Sequence, residues 1–143
     1  MSYAAKTKVP VPRTRLELES LLQRRGAEGF AFSWDPSNHL IEFLRGGVRV
    51  RFRLPRSTFR AESAREQDER RRWRALLLVV KAKLEAVDSG ISVFEDEFLA
   101  HIVDPRTNRT VGEVLVPRIQ AGAQHLQLPP YEPPGEPEPE PRR

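Results

Sequence analysis

Cysteine is absent from this chain of 143 residues, which excludes disulfides, thiolate zinc sites and a cysteine nucleophile. The lack fits a reducing compartment. Long apolar runs are absent too: the longest, "ALLLVV" at 75–80, falls far short of the roughly 20 residues that a membrane-spanning helix needs. The first residues, "MSYAAKTKVPVP", contain no apolar core of the kind a signal peptide carries. These absences predict a cytoplasmic protein without membrane association. The eight glycines are scattered at turns and form neither a Walker loop nor a dinucleotide-binding pattern. Serine, histidine and aspartate all occur, but no nucleophile elbow does. His101 follows Glu97 by four residues, a spacing that suits a pair of metal ligands on one helix face. No third ligand accompanies them, and His39 and His125 are remote in sequence. The acidic stretch "FEDEF" at 94–98 is explained by the favourable position of acids at a helix start. No catalytic constellation, cofactor or metal is expected, and the chain reads as a non-enzyme.

What is present organises into one domain's length of chain. The last fifteen residues, "PPYEPPGEPEPEPRR", hold seven of the thirteen prolines and no aliphatic side chain. Such a segment buries too little apolar surface to offset its ordering entropy, so 129–143 is expected to be a disordered, solvated tail. It reads as a solubilising linker, with binding to a basic partner, or competition with nucleic acid for an arginine surface, as alternatives. Residues 1–12 are expected to be flexible, which leaves 13–128 as a single α+β domain.

Within it, "RTRLELESLLQRRGA" at 13–27 predicts a helix, with Leu18, Leu21 and Leu22 on one face and Thr14 and Glu17 as a capping box. "FAFSW" at 30–34 and "HLIEFLR" at 39–45 alternate as strands do, separated by the turn residues "DPSN". Gly46-Gly47 permits a two-residue hairpin into "VRVRFRLP", pairing Glu42 with Arg51, Phe43 with Val50 and Ile41 with Phe52. The stretch 55–68 reads as a polar connection that turns helical near its end. From Arg70 to Val87, Trp73, Leu76, Leu77, Val80, Leu84 and Val87 form one apolar stripe at helical spacing. Ser92 with Glu95, and Thr110 with Glu113, predict two more capping boxes and two short helices, with a strand at 111–116 as the alternative to the second. The expected fold is therefore helix, three-stranded antiparallel meander, long helix, then one or two short helices.

The charge is distributed unevenly. Between Arg45 and Arg74 eleven arginines face only Glu62, Glu66, Asp68 and Glu69. Alternation in "GGVRVRFRLP" puts Val48, Val50 and Phe52 on one face of a strand and Arg49, Arg51 and Arg53 on the other, where they are expected to be solvent-exposed. Guanidinium groups match phosphate oxygens bidentately, so this face is a candidate nucleic-acid surface, as well as a candidate solvated sheet face. Arg70, Arg71, Arg72 and Arg74 stand at the expected start of the long helix, where cations oppose the helix dipole and an anion would relieve them. The candidate nucleic-acid-binding residues are Arg49, Arg51, Arg53, Arg70, Arg71 and Arg74. Trp73, Trp34, Phe30 and Phe32 are of a type that stacks on bases, but their spacing assigns Trp73 and Trp34 to the core.

The order helix, three antiparallel strands, helix is also that of the double-stranded-RNA-binding domain, in which basic residues near the second helix start contact phosphates. The lysine-rich motif expected at that helix start is missing here. Separately, the stretches "AAKTKVPVPRTRLELESLL", "RWRALLLVVKAKLEAVDSGI" and "EFLAHIVDPRTNRTVGEVLVPRI" resemble a group of small uncharacterised proteins encoded in bacteriophages, prophages and related mobile elements. The resemblance spans most of 4–120 and excludes the tail. It implies a mobile-element setting, in which small basic proteins often handle DNA or RNA, and it carries no site residue. The expectation is a small accessory protein that binds nucleic acid, DNA or RNA, through phosphates. The alternative is a protein-interaction module, an adaptor or inhibitor, whose arginines meet an acidic protein surface.

Overall fold

The structure is a computed structural model that describes Ala4 and residues 6–122; the Pro/Glu-rich tail lies outside the described residues. The first helix, α1, covers Val11–Arg24, and the strands β1 (Gly29–Trp34), β2 (Asn38–Arg45) and β3 (Val48–Pro55) follow. The long helix α2 covers Glu62–Asp88, and α3 is the single turn Phe94–Glu97. A 3-10 turn at Leu99–His101 leads to a small hairpin, β4 (Val103–Asp104) and β5 (Arg109–Thr110), and α4 (Val111–Gln120) closes the described chain. This is the α+β order that the periodicity predicts.

The meander pairs antiparallel in the order β1-β2-β3, and its second hairpin has the register that a two-residue glycine turn dictates, with Phe43 opposite Val50 and Glu42 opposite Arg51. Gly46 and Gly47 both have positive φ (58° and 76°), the requirement of a tight hairpin turn that matches strand twist. One sheet face carries Ile41, Phe43, Val50 and Phe52, which pack with Leu18, Leu21 and Leu22 of α1 and with Trp73, Leu76, Leu77, Val80 and Leu84 of α2 in a single core. Phe94 and Phe98 complete it, with ring centroids 4.8 Å apart, and both lie edge-on to Phe43.

Several local expectations are corrected. The first helix starts two residues earlier, at Val11 after Pro10, with a proline in its opening turn; Thr14 is buried inside the helix and forms no capping box. Proline's fixed φ suits a helix start, and here it outcompetes the hydroxyl cap. Before that helix, Gln67 of α2 donates from Nε2 to the Thr7 carbonyl (3.0 Å), which ties the N-terminal segment to α2. The long helix begins at Glu62, eight residues before Arg70. Its first two turns, "ESAREQDE", are polar all round, so they carry no apolar stripe although their residues favour helix. The helix predicted over "VFEDEFLAHIV", 93–103, breaks after one turn, because Ile102 pairs with Val50 at the free edge of β3. Ser92 makes no cap there. The Thr110 and Glu113 box does form and starts α4, so helix prevails over strand at 111–116 despite Pro117.

Candidate nucleic-acid interface

Strand alternation sends Arg49, Arg51 and Arg53 to the face opposite the core, as expected, but only part of that face meets water. The segment from the β4–β5 turn into α4 folds over the edge of β3 and brings Asn108 and Glu113 onto the arginines. Arg51 is buried, 6% exposed, which overturns its expected exposure. Its guanidinium donates from Nε to Glu42 Oε1 (2.7 Å), from Nη1 to the Asn108 carbonyl and from Nη2 to Asn108 Oδ1 (both 2.8 Å). Asn108 holds a left-handed φ of 56°, a conformation asparagine tolerates, and this lets one residue present both oxygens to the fork. Arg49 stays half-exposed with Nε 3.2 Å from Glu42 Oε2, and Arg53 donates to Glu113 Oε1 (2.9 Å). Each strand arginine therefore has a carboxylate partner.

The helix cluster is also re-placed. Arg70, Arg71, Arg72 and Arg74 lie in the third and fourth turns of α2, beyond the reach of the N-terminal dipole, which fades within the first turn. The helix dipole thus gives no reason for an anion there. Arg71 donates to Asp68 Oδ1 (2.7 Å), and Arg72 Nε lies 3.1 Å from Oδ2 of the same buried carboxylate. Burial alone would raise the Asp68 carboxyl, but hydrogen bonds from Arg71, Ser57 and Arg72 outweigh it and hold the group below its ordinary value. Arg74 donates to Glu17 Oε2 of α1 (2.8 Å) and joins the two helices. Of the six candidate residues, Arg70 is the one with no carboxylate partner among the described residues; it donates to the Gln67 side-chain oxygen.

Some of the cations that have no carboxylate partner among the described residues lie instead at one end of the sheet, where the chain leaves β1 and β3 and enters α1 and α2; Arg24, Arg45, Lys81, Arg109 and Arg118 also have none and lie elsewhere. Lys6 and Lys8 flank Thr7, which Gln67 fastens beside Arg70. Arg15 of α1 lies over the Phe32 ring (4.5 Å to its centroid). Arg56 follows β3 and lies over the Trp34 ring (5.2 Å), while its Nη1 donates to the Asp35 carbonyl (3.3 Å). Arg56 and Arg65 share a cleft of about 280 Å³ with Val11, His39, Glu66 and Glu69. Two carboxylates at this end are committed to structure. Asp35 accepts from the Ser37 and Asn38 N–H groups (2.8 and 2.7 Å), which hold its carboxyl below the ordinary value. Glu69 accepts from Ser57 N–H (2.9 Å) and lies 3.1 Å from His39 Nε2. The exposed acids Glu62 and Glu66 remain as counter-charge.

Aromatic placement differs from expectation in one case. Trp73 is fully buried, as its stripe predicts, against Phe32 and His39. Trp34 is not core: it is 65% exposed at the last position of edge strand β1, past the reach of both helices. Phe59, between β3 and α2, is 56% exposed. Neither surface ring was legible from alternation, because period-two patterning assigns a face and does not show where the covering helices stop. His101 and Glu97 are not a metal pair. His101 stacks on Phe52 (4.1 Å), Lys83 donates to the Glu97 carbonyl (2.9 Å), and among the described residues no group of three or more potential ligands comes together. Among the described residues no helix is long and apolar enough to cross a membrane. No protein-family model matches this chain, and neither the curated proteins nor the solved structures contain a significant match to it.

Proposed function

We propose that the protein is a small nucleic-acid-binding accessory factor, of the phage or mobile-element kind that its sequence resembles, and that it contacts phosphates with the end of its sheet. The observation that supports this best is the cleft that Arg56 and Arg65 share, with Arg15 over Phe32 and with Arg70 and the Lys6–Lys8 segment fastened by Gln67, none of these cations having a carboxylate partner among the described residues. A guanidinium already paired with a carboxylate must lose that partner to bind phosphate, whereas an unpaired one exchanges only water and counterions. Arg49, Arg51 and Arg53 therefore contribute least, and Arg70 remains from the expected set. Binding of this type is weakly sequence-specific, since phosphate contacts position a protein without reading bases.

Titration of the wild-type protein against a duplex and a single strand, at about 50 and about 200 mM salt, tests the proposal, because phosphate-driven affinity falls steeply across that range. Absence of binding to DNA and RNA of either form at the lower salt contradicts it. One observation favours the alternative of a protein-interaction module. Helix α4 buries no residue, and its Val116 and Ile119 stand exposed near exposed Leu99. On that alternative, no oligonucleotide binds and Val116→Asp with Ile119→Asp abolishes co-purification of a specific protein.

A further inference from the structure

An exposed tryptophan is costly to leave in water and is of little use for phosphate contact. Trp34 nevertheless stands 65% exposed beside Arg56, and its setting holds it there. On one side the backbone of β1 pairs Trp34 with His39, whose ring is packed on Phe32 and Trp73. On the other, Asp35 folds the following turn tightly through its bonds to Ser37 and Asn38. Arg56 completes the arrangement, with its guanidinium over the indole and one nitrogen anchored on the Asp35 carbonyl. The ring is thus pre-positioned before any ligand arrives, which lowers the ordering cost of binding.

We infer that Trp34, with the Arg56 guanidinium beside it, is a stacking platform for an unpaired base, so that the ligand is a single-stranded segment, loop or frayed end of RNA or DNA. This rests on the nucleic-acid reading above and narrows it. Stacking needs a π-face, which a base inside a duplex does not offer, whereas phosphates are offered by duplex and single strand alike. Arg56 and its neighbours Arg60 and Arg65 lie close enough in the chain to take the flanking phosphates. Phe59, in the same connection as Arg56 and Arg60, is a further exposed ring.

The test measures affinity for a homopolymeric single strand of about twenty nucleotides and for a duplex of equal length, together with tryptophan fluorescence. Stacking quenches the indole, and Trp73, buried in the core, does not report it. Trp34→Ala should weaken single-strand binding by about tenfold, leave duplex binding unchanged and leave the salt dependence unchanged. Trp34→Phe should retain most of the single-strand affinity and lose the quench. The melting temperature of each variant shows that the fold is intact; where Trp34→Ala lowers it, the Phe variant and the wild-type quench decide. Binding that Trp34→Ala does not weaken, or weakens equally for duplex and single strand, overturns the stacking platform and leaves the phosphate contacts standing. Wild-type protein that binds no oligonucleotide overturns both. Parallel DNA and RNA strands distinguish the two sugars.

Discussion

Replacing Arg51 with glutamine should destabilise the fold far more than the same change at Arg49, although the two arginines are alternate residues of one strand. Arg51 Nε, Nη1 and Nη2 donate three charge-assisted hydrogen bonds, at 2.7, 2.8 and 2.8 Å, and the side chain is almost wholly buried. Removing one partner of a buried ionic network costs about 3–5 kcal/mol. Two features put Arg51 at the lower end. Glu42 keeps Arg49 at 3.2 Å, and the Asn108 oxygens belong to an exposed residue that water can reach. About 3 kcal/mol corresponds to a fall of roughly 10 °C in melting temperature for a domain of this size. Arg49 is half in solvent, so Arg49→Gln should stay within about 0.5 kcal/mol of the wild type. Paired thermal and urea melts of the two variants give the comparison. Equal stability losses, or an unchanged Arg51→Gln, would refute the assignment of Arg51 to a structural clamp between β3 and the β4–β5 turn.

Trp73→Ala should cost about 3–5 kcal/mol, read from the urea midpoint, since the ring is wholly buried between sheet and helices. Gly112→Ala should destabilise α4 by about 1–3 kcal/mol, because the new Cβ would meet the Ala100 carbonyl oxygen at 2.8 Å, and backbone cannot yield as a side-chain tip does. Acid should lower the stability of the fold in two steps. Burial foremost, then the Lys83 charge, lower the His101 pKa below 6.5, so the unfolded chain binds that proton first and stability falls as pH drops through 6.5; His101→Phe should remove this stage from a plot of melting temperature against pH. The carboxyls of Asp68 and Glu113 lie below their ordinary values of 3.8 and 4.5 because their arginine hydrogen bonds outweigh burial, so their contribution is present above those values and is lost as pH falls below them.

Local pattern carried the fold well where burial was regular. The two-residue turn at Gly46-Gly47 and the alternation around it set the β2–β3 register residue by residue, and the Trp73-to-Leu84 stripe marked the face of α2 that meets the core. It failed where the decisive partner was distant in sequence. Arg51 alternates with its neighbours as a surface residue does, and nothing near it predicts that Asn108, fifty-seven residues on, folds over to bury it. The early start of α2 was hidden because its first turns touch too little of the core to need an apolar stripe. That hidden start also made the arginines at 70–74 look like a charged helix end. The cations of the sheet end were individually visible, but they come from the segment before α1, α1 itself, the loop after β3 and the first turns of α2, and only the fold shows which of them lie near one another and that Arg56 lies on Trp34.

On the proposed function, the end of the sheet, and not the arginine-bearing strand face, meets phosphate. The most direct test is the slope of log affinity against log salt for Arg60→Gln/Arg65→Gln and for Arg49→Gln/Arg53→Gln, each beside the wild type. Each lost phosphate contact removes about 0.7–0.9 from that slope, so the first variant should flatten it by up to about 1.5 while the second leaves it unchanged. A flattened slope for the strand-face variant, with the sheet-end variant binding as wild type does, would place the phosphate contacts on the strand face instead.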